Sequence, residues 1–318
     1  MTAEGRNFVP FNRLAIIGMG LIGSSIARAC RKHGLTECII AIDRDPDVRN
    51  KVKGLGLADH VLHDAAKGVV ECDHVILCVP VMANAALAAA IGPHLMAGCI
   101  LSDVGSVKAA VVKDVAPHVP TGVHFVPAHP VAGTEYSGPE AGFAELFVNR
   151  WSILTPPAGT PESATLRVKA FWEAMGANVE IMAADHHDLV LAITSHVPHL
   201  IAYNIVGTAA DMEKVTQSEV IKFSAGGFRD FTRIAASDPT MWRDVFLTNK
   251  DAVLEMLGRF SEDLLALQRM IRWSDGDGLH ALFTRTRMIR RGIIAQGQET
   301  AAPDFGRRSP TSEAEKSQ

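Results

Sequence analysis

The chain has 318 residues, 47% hydrophobic and 21% charged, which is enough for a sizeable core and for more than one compact domain. Its net charge of −4 includes no long basic block, which argues against nucleic acid held by phosphate neutralisation. Five cysteines without a CxxC pair, a start (MTAEGRNFVPFN) unlike an export leader, and no unbroken run of about 18 apolar residues point to a cytoplasmic protein with reduced thiols and no membrane partner.

From Arg13 onward, short β-rich runs alternate with helical stretches: RLAIIG, IIAID, HVILCVP, CILSDVG, HFVPAHP and WSILTP, with NVEIM (Asn178 to Met182) closing the series. The runs are apolar on both faces, as strands covered by helices on either side must be, so the expectation is an α/β doubly wound parallel sheet of Rossmann type. Residues 1–183 form the expected dinucleotide-binding domain. From Asp185 to about Ile294 apolar residues recur at helical spacing, giving an all-helical domain over residues 184–296. There Asp238 before Pro239 reads as the cap of a long helix running through Trp242, Val245 and Leu254. The polar stretch 297–318 reads as a disordered tail.

The first strand runs straight into Gly18-Met19-Gly20-Leu21-Ile22-Gly23 and then the helix SSIARACRKHG. This is GxGxxG between a strand and a helix: Gly18 for the tight turn, Gly20 for close approach of a pyrophosphate, and Gly23 for packing the helix on the strand. The amides at Leu21 and Ile22 open the helix towards the anion. Asp43, closing IIAID, can accept hydrogen bonds from ribose hydroxyls and would repel a 2′-phosphate, so NAD is favoured over NADP. Arg44 is the neighbouring group that could meet such a phosphate; its plainer reading is a solvated loop arginine.

In DVGSVK (Asp103 to Lys108), Ser106 follows a strand at the ligand-binding edge of the sheet, and is either a ligand contact, the N-cap of the next helix, or both. His129 lies between Pro127 and Pro130, with Gly133 allowing a turn, and has the pKa range of a general base. In DHHDLVLAITSHVPHLIAYNIV, Asp188, Ala192, Ser195 and His199 share one helical face, and Pro198 should open the helix locally. His196 and His199 without a third ligand make a poor zinc site, so no metal is expected; His186 and His187 read as solvated residues at the helix start. In GGFRDFTRIAASDPTMW, Arg233 sits among Phe228, Phe231 and Ile234, where a buried guanidinium wants a carboxylate. Asp230 could orient it while a substrate carboxylate completes the pair.

GMGLIGSS, DVGSVK, HPVAGTEYSG, SHVPH and GGFRDFTRIAASDPTMW, in this order, resemble the prephenate/arogenate (cyclohexadienyl) dehydrogenase family of tyrosine biosynthesis over roughly residues 13 to 294. The resemblance implies NAD-dependent oxidative decarboxylation of a small-molecule substrate, prephenate or arogenate, by a homodimer joined through the helical domain. It assigns His129 to the proton of the 4-hydroxyl, Ser106 to that histidine and hydroxyl, and Arg233, oriented by Asp230, to a substrate carboxylate. It also places Ser195 and His199 at the substrate side chain, Thr134 and Glu135 on a loop gating access, and Trp242 near the pocket from the dimer partner. Two other readings compete. A β-hydroxyacid dehydrogenase would want a lysine on the first helix of the second domain, and His186 to Glu213 has none; a non-catalytic NAD-binding module would leave the polar set without a purpose.

Overall fold

The computed structural model describes residues 8–134, 136–216 and 226–295. Strands β1 (Phe11–Ile17), β2 (Thr36–Ile42), β3 (His60–Leu62), β4 (His74–Leu77), β5 (Ile100–Asp103) and β6 (His124–Phe125) form one sheet in the order β3-β2-β1-β4-β5-β6, all parallel. The order reverses between β1 and β4, and the crevice at the carboxyl ends of such a pair is where open α/β sheets take their ligands. Alternate side chains feed two cores: Leu14, Ile16, Ile39 and Ile76 on one face, Ala15, Ile17, Ile40, Ile42, Val75 and Leu77 on the other. That two-sided burial is why the strands carry continuous apolar runs.

Helix α1 (Leu21–His33) buries Ile26, Ala27, Ala29 and Cys30, and stops where Gly34 turns left-handed at φ 63° and donates its N–H to the Cys30 carbonyl. Asp45 caps α2 (Pro46–Gly54) by accepting from the Asp47 N–H. Helices α3 (Ala65–Gly68), α4 (Asn84–Ile91) and α5 (Ala109–Val115) complete the crossovers. All five cysteines are free, with Cys30, Cys72 and Cys99 buried.

The expected strand HFVPAHP divides in two. Leu101 pairs with Phe125, but Pro127 has no N–H with which to continue the ladder, and the chain crosses to a separate three-stranded sheet as β7 (Ala128–Pro130). There β7 runs antiparallel to β8 (Trp151–Leu154), with His129 opposite Ile153, and β9 (Asn178–Ile181) runs parallel to β8. WSIL and NVEI therefore belong to this mixed sheet and not to the parallel one. Helix α6 (Glu162–Ala174) links β8 to β9 and buries Val168, Phe171 and Trp172 in the core shared with β1.

The helical half contains α7 (Ala184–Leu191), a π-helical turn (Ala192–His196), α8 (Val197–Thr216), α9 (Gly226–Thr232), a tight 3-10 turn (Arg233–Ala236), α10 (Pro239–Thr248), α11 (Lys250–Arg272) and α12 (Gly276–Ala295). The widened turn lies where Pro198 withholds the N–H that the Thr194 carbonyl would otherwise accept. Asp238 caps α10 as expected, accepting from Thr240 N–H at 2.7 Å and Met241 N–H at 2.9 Å. The helix then ends at Asn249 (φ −108°, ψ 33°), so Leu254 belongs to α11, and the single long helix expected there is two. Ala184–Met212, 29 residues at mean hydropathy 1.5, is long and apolar enough by length and composition to cross a bilayer; it is nevertheless interrupted by buried polar side chains that bond to other elements. Residues up to Met256 form one compact unit. Those from Leu257 form a second, in which Leu264, Leu265, Ile271, Trp273, Phe283 and Ile289 are exposed. The stretch 297–318, expected as a tail, lies outside the described residues.

Candidate active site

Beyond β1, Gly18 takes φ 95°, a conformation that side chains resist, and a Cβ there would strike the Cys78 carbonyl oxygen. A Cβ on Gly23 would strike the Gly18 carbonyl oxygen, so α1 reaches the strand only because that position carries hydrogen. Around Gly20 the space is open, and as N-cap of α1 it supplies no side-chain acceptor, which leaves first-turn amides such as Leu21 and Ile22 to an outside partner. This cradle fits a dinucleotide pyrophosphate. Asp43 is fastened to it: one carboxylate oxygen accepts from Met19 N–H at 2.9 Å, the other from Asp45 N–H at 2.9 Å. Each oxygen keeps a lone pair for a ribose hydroxyl. Arg44 lies exposed on the turn, which Arg49 braces by donating to the Asp43 and Arg44 carbonyls.

His129 does not simply follow a strand; it lies within β7 and is 7% exposed. Its Nδ1 lies 2.8 Å from Nε2 of His187, whose Nδ1 lies 2.8 Å from Asp188 Oδ1. Burial, reinforced by the charges of His187, Lys108 and His196, holds the His129 pKa well below the ordinary histidine value. His187 is lowered too, chiefly by burial, against the pull of Asp188. The expectation of a solvated His187 is thus overturned. His186 is exposed, but its neighbour, one position on, turns fully inward.

Asp188 performs a second task. Its Oδ1 accepts from Lys108 N–H at 2.8 Å and its Oδ2 from Ala109 N–H at 2.9 Å, so it caps α5 from 80 residues away. That excludes Ser106 as the cap of α5, because the cap position is Lys108 and the first amides of the helix are already taken by Asp188. Ser106 stays half-buried on the connection after β5, with its backbone facing His196. Lys108 is fully buried; its Nζ donates to Asp103 Oδ2 at 2.5 Å and to the Ala128 carbonyl at 2.7 Å, tying the residue before His129 to the end of β5. Burial lowers the Lys108 pKa and raises that of Asp103, while their contact opposes both shifts.

His196 is fully buried. Asn249 Nδ2 donates to its Nδ1 at 3.1 Å and to the Asp188 carbonyl at 2.9 Å, and burial pushes its pKa down to about 4. His199 Nδ1 donates to the Ser195 carbonyl at 2.8 Å, one turn back across the π-helical stretch. Its ring stacks on Trp242 with centroids 3.7 Å apart, and burial followed by the Arg233 charge depresses its pKa. Trp242 is 6% exposed and packs on Val107 and Val245. It therefore reaches this region within its own chain. Arg233 is half-buried and close enough to bear on His199, and Asp230, three residues earlier on α9, is exposed.

Thr134 is half-buried and its Oγ1 accepts from Tyr136 N–H at 3.2 Å; Glu135 lies outside the described residues. Gly133 is not among the glycines with positive φ; in this loop that role falls to Gly138 at 87°. The far end of the loop is bound to α1: Arg28 donates to the Gly142 and Pro139 carbonyls, and Phe143 N–H to Ser25 Oγ. Sequence reasoning missed His187, Lys108, Asp103 and Asn249 as site residues. Only Asp188 was signalled, by sharing a helical face with Ser195 and His199.

The model for the prephenate dehydrogenase nucleotide-binding domain matches residues 26–181, and that for the prephenate dehydrogenase dimerization domain matches 183–285. A cyclohexadienyl dehydrogenase from Zymomonas mobilis is 44% identical over 89% of this chain and 96% of its own; a prephenate dehydrogenase from Bacillus subtilis is 32% identical over 92% and 78%. Among solved structures, the prephenate dehydrogenase of Aquifex aeolicus in complex with hydroxyphenyl propionate and NAD+ superposes with a TM-score of 0.84 at 33% identity, covering 90% of this chain and 99% of its own.

Proposed function

The chain belongs to the prephenate dehydrogenase family, and on that premise we propose that His129 is the base of its reaction, with Ser106 beside it. The protein is an NAD-dependent oxidoreductase of tyrosine biosynthesis that oxidatively decarboxylates prephenate, arogenate or both. Gly18, Gly20 and Gly23 would hold the pyrophosphate of NAD+ and Asp43 its ribose, and the bound nicotinamide would supply the hydride acceptor.

Within the chain's own residues the work divides as follows. His129, kept neutral by burial, takes the proton of the ring 4-hydroxyl as hydride leaves the same carbon and carbon dioxide leaves the opposite end of the ring. Aromatisation provides most of the drive, so the protein's task is orientation, a base and an anchor. Arg233 anchors a substrate carboxylate, a charge-assisted bond worth about 1.5 to 3 kcal/mol. Ser195 and His199 hold the substrate side chain, Trp242 walls this end by stacking on His199, and the loop of Thr134 and Glu135 controls access. The observation that carries the reading is a 7%-exposed His129 beside the buried Asp103–Lys108 pair at the carboxyl end of β5.

In this reading residues 1–183 bind the dinucleotide and 184–296 form the substrate and dimerisation domain of a cytoplasmic homodimer. The exposed apolar side chains of α8, α11 and α12 support such pairing. Mixing the protein with NAD+ and either prephenate or arogenate, and following NADH absorbance, tests the activity; silence with both substrates would favour a binding module.

A further inference from the structure

We infer that His187 and Asp188 are positioning residues that fix the tautomer of His129, leaving its Nε2 bare towards the substrate. The inference rests on the reading of His129 as the base and deepens it. Asp188 is a carboxylate whose two oxygens already accept backbone N–H groups from Lys108 and Ala109, so against His187 Nδ1, 2.8 Å away, it can only accept. His187 must therefore carry its proton on Nδ1. Being neutral in its buried setting, it presents a lone pair at Nε2. The atom 2.8 Å from that lone pair is His129 Nδ1, which must in turn be the protonated nitrogen. Nε2 of His129 is then the acceptor, by elimination within a chain of three side chains.

The same chain serves the charged state. When His129 takes a proton at Nε2 it becomes an imidazolium whose Nδ1–H still donates to His187, with the Asp188 carboxylate behind; no proton needs to move along the chain. The other charged or titratable groups bearing on the two rings are Lys108 and Asp103, paired with each other, and His196, held by Asn249. None of these is hydrogen-bonded to either ring, so among the described residues the tautomer is set by His187 and Asp188. The arrangement is anchored at both ends: Asp188 is fixed by the α5 amides, and β7 by Lys108 Nζ on the Ala128 carbonyl.

The test uses the full-length protein with NAD+ and whichever of prephenate and arogenate it turns over. His187→Leu should lower kcat roughly a hundredfold while KM for substrate and NAD+ moves less than about threefold. His187→Gln, whose amide oxygen can take the place of Nε2 and accept from His129, should keep kcat within about tenfold of wild type. Histidine-labelled protein gives the direct readout: 15N spectra should show the His129 proton on Nδ1 in the wild type and on Nε2 in His187→Leu. Should the leucine variant not fold, the wild-type spectrum decides by itself, through which ring nitrogen of His129 carries the proton. A bare Nδ1 on His129 in the wild type, or a kcat in His187→Leu within about threefold of wild type, would overturn the inference. A His129→Asn variant that keeps its turnover would instead remove the base assignment, and the two failures are separable.

Discussion

In the glycine loop the working groups are main-chain amides, and the side chains matter chiefly by being absent. Around His129 the working groups are side chains, held by bonds to side chains and backbone often far away in sequence. Apart from the Cys78 carbonyl against Gly18, the loop is completed within residues 17 to 45. The histidine cluster needs β5, β7, α7, the π-helical turn and Asn249 at once. A region built from backbone should fail sterically when any side chain is added, whereas a region built from side-chain bonds should fail electrostatically when one partner is removed.

The loop should give the largest effect. Gly18→Ala must hold φ 95° and overlap the Cys78 carbonyl, and Gly23→Ala must overlap the Gly18 carbonyl. Each should cost about 2 to 4 kcal/mol in denaturant unfolding. An alanine accepted at either place within about 0.5 kcal/mol would break the contrast. Next comes the substrate anchor. Arg233→Gln should raise KM for prephenate or arogenate roughly ten- to hundredfold with kcat little changed, and a loss confined to kcat would move Arg233 out of the anchoring role.

How much of each region could be read in advance follows from the same difference. GxGxxG and Asp43 are local signals, and the cradle they form was legible residue by residue. His129 and Ser106 were legible as candidates, but their surroundings were not. His187 contacts His129 across 58 residues, and Asp188 caps a helix 80 residues earlier. Next to the exposed His186, the inward turn of His187 has no signature in composition or period. The split of HFVPAHP between two sheets was implicit in Pro127, which cannot donate to a ladder, but the second sheet is defined only by pairings with β8.

Two smaller effects sharpen the comparison. Asn249→Ala removes the donor shared by His196 and the Asp188 carbonyl, and should cost about 1 to 3 kcal/mol of stability; no loss at all would mean that the cluster is held by packing alone. The pH dependence is the mildest. His74 is buried beside Phe11 and Phe171 with its pKa pushed down to about 3, and that of His196 lies at about 4, each from an ordinary value of 6.5. Their folded-state values are depressed, so the unfolded chain binds more protons below pH 6.5. Stability contributed by their neutrality is complete above that value and is lost as pH falls towards 4, by about 1.4 kcal/mol per pH unit for each. Thermal unfolding between pH 7 and pH 4 reads this directly, and His74→Gln should flatten the slope.

The central claim is that a buried, neutral His129 accepts the substrate's hydroxyl proton. Steady-state kinetics of His129→Asn with NAD+ and the preferred substrate test it most directly. The account predicts a kcat lower by roughly two to four orders of magnitude with KM changed far less. Turnover close to that of the unaltered protein would contradict it.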